Sequence, residues 1–258
     1  MKRYSKYLLP GGLFFLILWG GMVVCRIDPI LLLKGIPQGI KLFGYMIPPA
    51  WEKMPELVKP ALETLQIAFV GTALGACFSF LIGLIAARNI HSFRLLRDVT
   101  RALLSAERAL PDLIVMLFFV AIVGFGAFPG VMALMASSIG MLGKLFADAI
   151  EEVDPKPIES LEAIGATKIQ VIHYAILPQV LPSLIANTLY RFEVNIRMSV
   201  LLGVVGAGGI GYSLVTSMRL LKYQESMGAI LIILLLVIFC EKSAELFRKV
   251  MIGQELLK

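Results

Sequence analysis

Charge is scarce in this sequence. Asp, Glu, Lys and Arg make up 16% of its 258 residues, where soluble domains carry about 25%. Hydrophobic residues make up 58%, and the mean hydropathy is +0.84. So little charge excludes an ordinary soluble domain and fits an integral membrane protein. Histidine is scarcer still: His91 and His173 stand apart, with no His-Glu-x-x-His pattern and no Ser-His pair, which removes the convergent groups an intramembrane hydrolase needs. Cys25, Cys77 and Cys240 stand singly in apolar segments, without the paired spacing of a zinc site or redox dithiol. They read as small packing residues, and no metal site is expected. No GxxxxGK[ST] stretch occurs, so any ATP hydrolysis belongs to another chain and this one is not an enzyme.

The charge that is present has a pattern. There are 24 Lys+Arg against 18 Asp+Glu, a net +6, and the basic residues fall mostly between apolar runs. That is the positive-inside arrangement of a membrane protein, not a nucleic-acid surface. Lys2, Arg3 and Lys6 precede an apolar run over 7–25, about eighteen residues with no small-x-small cleavage site after it, so it reads as a retained first span entering from the cytoplasm. Over 26–63 the chain turns mixed, and Pro29, Pro37, Pro48, Pro49, Pro55 and Pro60 argue against one long helix. An external connection of short amphipathic pieces is expected there, with Phe43, Tyr45 and Trp51 as interfacial aromatics.

The second span covers 64–87 without a charge, and Gly71, Gly75, Ala76, Ser79 and Gly83 place small residues about four apart, as on a face built for close helix packing. Arg88, His91, Arg94, Arg97 and Arg101 follow, a cytoplasmic connection in which His91 is a loop residue. A third span over 109–123 and a fourth over 128–150 are separated by the tight GFGAFPG. Asp112 at the start of the third span suits that helix's N-terminal dipole. A fifth span beginning near Leu181 carries Arg191, Glu193, Asn195 and Arg197 in an otherwise apolar run. Beyond it, Gly206, Gly208, Gly209 and Gly211 in VVGAGGIG formally match a dinucleotide fingerprint, but the strand, helix and soluble sheet that fingerprint needs are missing. They read as a glycine break before a short segment over 212–218, followed by a last span over 227–240. Six crossings with both ends in the cytoplasm account for the charge asymmetry.

Between the fourth and fifth spans lies a polar island, ESLEAIGATKIQVIHYAILP over 159–178. Ile158, Leu161, Ile164, Ile169, Ile172 and Ile176 recur at helical spacing on what reads as one face of two short helices. Gly165 falls where the first helix would stop and supplies a left-handed turn; Pro157 suits the first helix's opening turn and Pro178 ends the second. A folded, charged helix-turn-helix elbow held at the membrane asks for a docking partner.

Glu159, Gly165, Leu177 and Pro178 resemble the EAA loop of membrane subunits of ATP-binding-cassette importers. Ser160 and Leu161 replace that motif's two alanines, and Ala175 stands where an Ile is expected. The agreement through LPQVLPSLIANTLYRFEVNIR and VGAGGIG is more specific and is similar to the phosphonate and phosphite branch of these permeases. The resemblance covers about 62–239. It implies an all-α type I importer permease: an N-terminal span and external connection over 1–61, and a permease domain over 62–258 with its coupling loop at about 155–178. By resemblance, Glu159, Glu162, Ala163, Gly165, Ala166, Leu177 and Pro178 couple the chain to a cytoplasmic ATPase dimer that binds the ATP. An external or periplasmic binding protein selects the substrate, a second permease copy completes the pathway, and the assembly lies in the bacterial inner membrane.

Without the resemblance, a secondary transporter or channel for a small anion also fits a six-span protein, though no second glycine break echoes the first, as internal repeats would require. Within the fifth span the residues leave two readings open. Glu193 and Arg197, four apart, are positioned to pair, which leaves Arg191 as an uncompensated charge lining an anion path. Alternatively all four tie the span to its neighbours.

Overall fold

A computed structural model describes residues 5–26, 28–90 and 93–253, and every regular element among them is helical. The readings at Lys2, Arg3 and His91 lie outside the described residues. The chain divides into two compact units, Met1–Ile47 and Pro48–Lys258.

The first unit holds α1 (Ser5–Val24) and α2 (Pro29–Met46). Pro48 and Pro49 follow the end of α2 at Met46, so no single long helix runs through the region, but Pro29 and Pro37 do not cut α2 short. Pro29 opens α2, where its missing N–H costs nothing, behind an Asp28 cap that accepts from the N–H groups of Ile30 and Leu31, and Pro37 is accommodated within the helix. Phe43 and Tyr45 are exposed, as is Trp51 in the second unit.

In the second unit α3 (Met54–Ala86) starts ten residues earlier than the expected second span, because Pro55 lies in its first turn and Pro60 is tolerated inside it. At 33 residues it is about 50 Å long, more than the roughly 30 Å of a bilayer's hydrocarbon core. Its principal partner is α6 (Ala127–Glu151). The small-residue face makes that contact: a Cβ added at Gly71 would lie 2.8 Å from Leu134 Cβ, one at Gly75 2.5 Å from Ser138 Cβ, and one at Gly83 3.1 Å from Phe146 Cβ. The two backbones approach to a distance only glycine allows.

The basic connection after α3 is itself a helix, α4 (Arg94–Glu107). Leu104 is buried on it, whereas Leu95, Leu96, Val99 and Leu103 are exposed. Arg101 fastens it, donating to the Ala86 carbonyl at 2.9 Å and pairing with Glu151. α5 (Asp112–Val123) follows; its 12 residues reach about 18 Å, too short to cross alone. The remaining elements are α7 (Pro155–Ala163), α8 (Lys168–Val171), α9 (Leu177–Val204), α10 (Gly209–Arg219) and α11 (Tyr223–Gly253). By length and composition the described helices supply four membrane spans, or five if α1 and α2, bent by 52°, act as one, against the six expected. α5 is missing from both counts, and the α1–α2 pair from the lower one.

Candidate functional site: an elbow, a buried polar cluster and a glycine break

The elbow is built by capping at each turn. Asp154 caps α7 by accepting from the Lys156 N–H at 3.1 Å. At the other end Gly165 adopts φ +81°, its N–H donating to the Glu162 carbonyl at 3.0 Å while the Ala166 N–H donates to the Leu161 carbonyl at 3.0 Å. This pair of bonds is a Schellman closure, and the left-handed residue it requires is the glycine. Thr167 then caps α8 in a box with Gln170. The second short helix does not end at Pro178. It passes through a π-helical stretch, Ile172–Ile176, into α9, whose first turn holds Pro178, so α9 starts at Leu177 rather than near Leu181.

Only part of the expected isoleucine face is internal. Ile158, Leu161, Ile172 and Ile176 pack with Leu142, Phe146, Ile150 and Val171 in one apolar cluster. Ile164 and Ile169 point the other way and are 78% and 79% exposed. They flank the Gly165 turn, and Glu159, Glu162, Ala163 and Gly165 are exposed beside them. Ala166 and Leu177 are half-buried, and Pro178 is exposed.

The four residues singled out on α9 fall into the two rows their i,i+4 spacing defines, but the ion pair expected within one row does not form. Glu193 and Arg197 do not bond each other. Glu193 accepts from Arg248 at 2.9 Å and Arg197 donates to Glu241 at 2.6 Å, both partners lying on α11. Arg191 and Asn195 face the interior between α3 and α6. Arg191, midway along α9, is 5% exposed; its Nε donates to Ser138 Oγ at 3.1 Å, its Nη2 to Ser137 Oγ at 2.6 Å, and its Nη1 lies 3.4 Å from Met141 Sδ. Ser137 in turn donates to Asp112 on α5. Asn195 Nδ2 donates to Thr72 Oγ1 at 2.8 Å and to Ser138 Oγ at 2.9 Å. Arg191 is therefore not uncompensated, as the spacing along α9 suggests: a carboxylate stands one serine away. Asp112 does more than face its own helix dipole.

Glu107, at the end of α4, lies against the same cluster, its carboxylate over Gly140 of α6. Burial, and secondarily the charge of Asp112, push its pKa up to about 7, against the opposing pull of Arg191 and Arg108. Among the described residues its Oε2 and Asn195 Oδ1 are buried without a hydrogen-bond partner. Thr72, Glu107, Asp112, Ser137 and Ser138 are cluster members that sequence reasoning did not assign to a site. A pair of adjacent serines within an apolar span was the available signal.

The glycine break joins α9 to α10 by close approach. Gly206, Gly208 and Gly209 have φ of +105°, +79° and +68°, and an added Cβ at Gly206 would strike the Phe125 ring. The Gly126 N–H donates to the Gly206 carbonyl at 2.9 Å, so the turn between α5 and α6 is tied to the break. α10 starts at Gly209, three residues before the expected segment, because α3 caps it: Glu63 Oε2 accepts from the Gly209 N–H at 3.1 Å and Thr64 Oγ1 from the Ile210 N–H at 2.8 Å. No strand accompanies the glycines among the described residues, which removes the dinucleotide reading.

Residues 79–251 match the family model described as the binding-protein-dependent transport system inner membrane component. The chain is 42% identical, over 96% of its length and 89% of the relative's, to the phosphite transport system permease protein PtxC of Stutzerimonas stutzeri. It is 40% identical over 87% of its length to the phosphate-import permease protein PhnE of Mycolicibacterium smegmatis, covering 42% of that longer protein. Among solved structures, a chain of the MetNI methionine ABC transporter in an inward-facing conformation superposes with a TM-score of 0.68 at 22% identity, covering 78% of this chain and 99% of that one.

Proposed function

Because the chain belongs to the inner membrane components of binding-protein-dependent transport systems, we propose that it is the membrane-spanning subunit of an ATP-driven importer for a phosphorus oxyanion. The relatives' names specify phosphite and phosphate, and a tetrahedral phosphorus centre with anionic oxygens is common to both and to phosphonates. A cytoplasmic ATPase dimer supplies the energy, an external or periplasmic binding protein delivers the anion, and a second copy of this chain faces it across the pathway. α5, completed by its flanking residues, makes the sixth crossing, and both termini lie on the cytoplasmic side with the elbow.

One observation carries this reading. The elbow is fixed by caps at both of its short helices, yet it turns Ile164 and Ile169 outward beside Glu159 and Glu162. Two bulky aliphatic side chains held rigidly outside a membrane protein's core suit a groove on another protein. Arg191 is the anion-attracting group of the pathway, since a guanidinium N–H pair matches a phosphoryl oxygen edge.

The elbow assignment is tested by co-purifying the permease with its ATPase. Ile164→Asp combined with Ile169→Asp removes the ATPase from the purified complex while the permease stays in the membrane fraction. Full retention of the ATPase in that double variant overturns the docking role.

A further inference from the structure

Two carboxyl groups, Asp112 and Glu107, stand near the single Arg191 guanidinium. Asp112 reaches it through Ser137, which accepts from Arg191 Nη2 at 2.6 Å while donating to the carboxylate. Glu107 approaches from α4 with a buried, unpartnered Oε2. The charged groups around Arg191 are thus Asp112 from α5 and Glu107 with Arg108 from the end of α4; α3 contributes only Thr72, since it carries no charge between Glu63 and its end, and the nearest α6 charge, Lys144, is exposed.

A carboxylate addressed by a serine hydroxyl and, behind it, a guanidinium occupies the surroundings a phosphorus oxyanion would seek. The helix that brings the carboxylate is seated in the core by Met116 but bounded by breaks at both ends. α5 is the shortest of the apolar helices, packs chiefly on α6, begins at a proline and ends at Gly124 and Gly126 with φ of +92° and +132°. Breaks at both ends let it shift without unwinding its neighbours.

We propose that Asp112 is an internal competitor of the transported oxyanion, a role that presupposes Arg191 serving the pathway. In the arrangement seen here it holds Ser137 and neutralises Arg191, so the site is closed to an external anion. Withdrawal of α5 exposes Arg191 to the anion, and return of Asp112 expels it. The device resolves a difficulty of using an arginine for transport. A guanidinium buried without an anion is costly, and one that binds the cargo tightly would not release it.

The experiment uses the complete complex of permease, ATPase and binding protein in liposomes with ATP inside, the binding protein outside and phosphite as probe. Uptake of labelled phosphite is measured against increasing unlabelled phosphite preloaded in the lumen. Asp112→Asn and Asp112→Ser both remove the charge and retain a group able to bond Ser137, and whichever assembles is read. Lumenal phosphite then inhibits at a concentration about tenfold lower than in the wild type, the effect of removing one ordinary charge pair. Asp112→Glu, which restores the carboxylate, returns inhibition towards the wild-type concentration. An unchanged inhibition curve in an assembled neutral variant, with Arg191→Gln still defective in uptake, overturns the competitor role and leaves the pathway reading standing. Wild-type uptake in Arg191→Gln sinks the pathway reading itself, and the competitor with it.

Discussion

Replacing Gly165 by alanine separates the backbone geometry of the elbow from everything the elbow touches. The residue sits at φ +81°, and an added Cβ would meet nothing within 4 Å, so no clash complicates the substitution. What remains is the cost of placing an L side chain in the left-handed region, about 1–2 kcal/mol. That corresponds to a loss of roughly 5- to 30-fold in the population of the closed turn relative to competing conformations. Asparagine enters this region more readily, and valine, β-branched, less so. Because the turn lies outside the packed helices, the permease inserts and assembles in every case. Substrate-stimulated ATP hydrolysis by the purified complex should therefore fall in the order Gly165→Asn, Gly165→Ala, Gly165→Val, with the valine variant lowest. Equal, wild-type stimulation in all three would show that the shape of the turn does not matter to coupling. Loss of the permease itself would show that the turn serves folding instead.

Three further outcomes rest on the same geometry. Glu107 keeps its proton to about pH 7 when folded, whereas an unfolded chain releases it near the ordinary carboxylate value of 4.5, so the folded state loses stability as pH rises through that window and bears the full penalty above it. Glu107→Gln should accordingly raise the melting temperature of the purified complex at pH 8 and leave it unchanged at pH 4; an increase confined to pH 4 would reverse the assigned sign. Gly75→Val puts side-chain atoms where only 2.5 Å separates an added Cβ from Ser138 Cβ, and overpacking of about 1–3 kcal/mol should reduce the yield of assembled permease, while Gly39→Ala, with open space around it, should not. Lys168→Cys should be shielded from an impermeant thiol reagent outside intact cells and Lys53→Cys labelled, in a background lacking the native cysteines; labelling at position 168 would place the elbow on the wrong side for an ATPase.

The features legible in the sequence were those that depend on nearest neighbours along the chain. Gly165 announced its turn because a left-handed residue after a helix has few alternatives to glycine, and the row of small residues from Gly71 to Gly83 announced a close helix contact, though not that α6 makes it, because backbone approach depends on side-chain size. Partners contributed by distant segments were not legible. Glu193 and Arg197 sit at ideal spacing for each other, yet Arg248 and Glu241 on α11 take them, 55 and 44 residues away. Asp112 read as a helix-dipole residue because nothing local shows that Ser137 will stand beside it. The prolines misled in a different way: Pro55 and Pro178 fall in first turns, where a missing N–H breaks no bond, so they mark where helices begin rather than where they stop. The outward Ile164 and Ile169 shared a helical period with the buried isoleucines, and only the folded elbow distinguishes the two sets.

The most direct test of the importer assignment is uptake of labelled phosphite, methylphosphonate, phosphate and sulfate by liposomes containing the permease with its ATPase and binding protein. Accumulation of a phosphorus oxyanion that requires both ATP and the binding protein, with sulfate left outside, is the predicted result. Uptake that proceeds without ATP and without the binding protein, following the anion's own gradient, would identify a secondary transporter or channel and contradict the account.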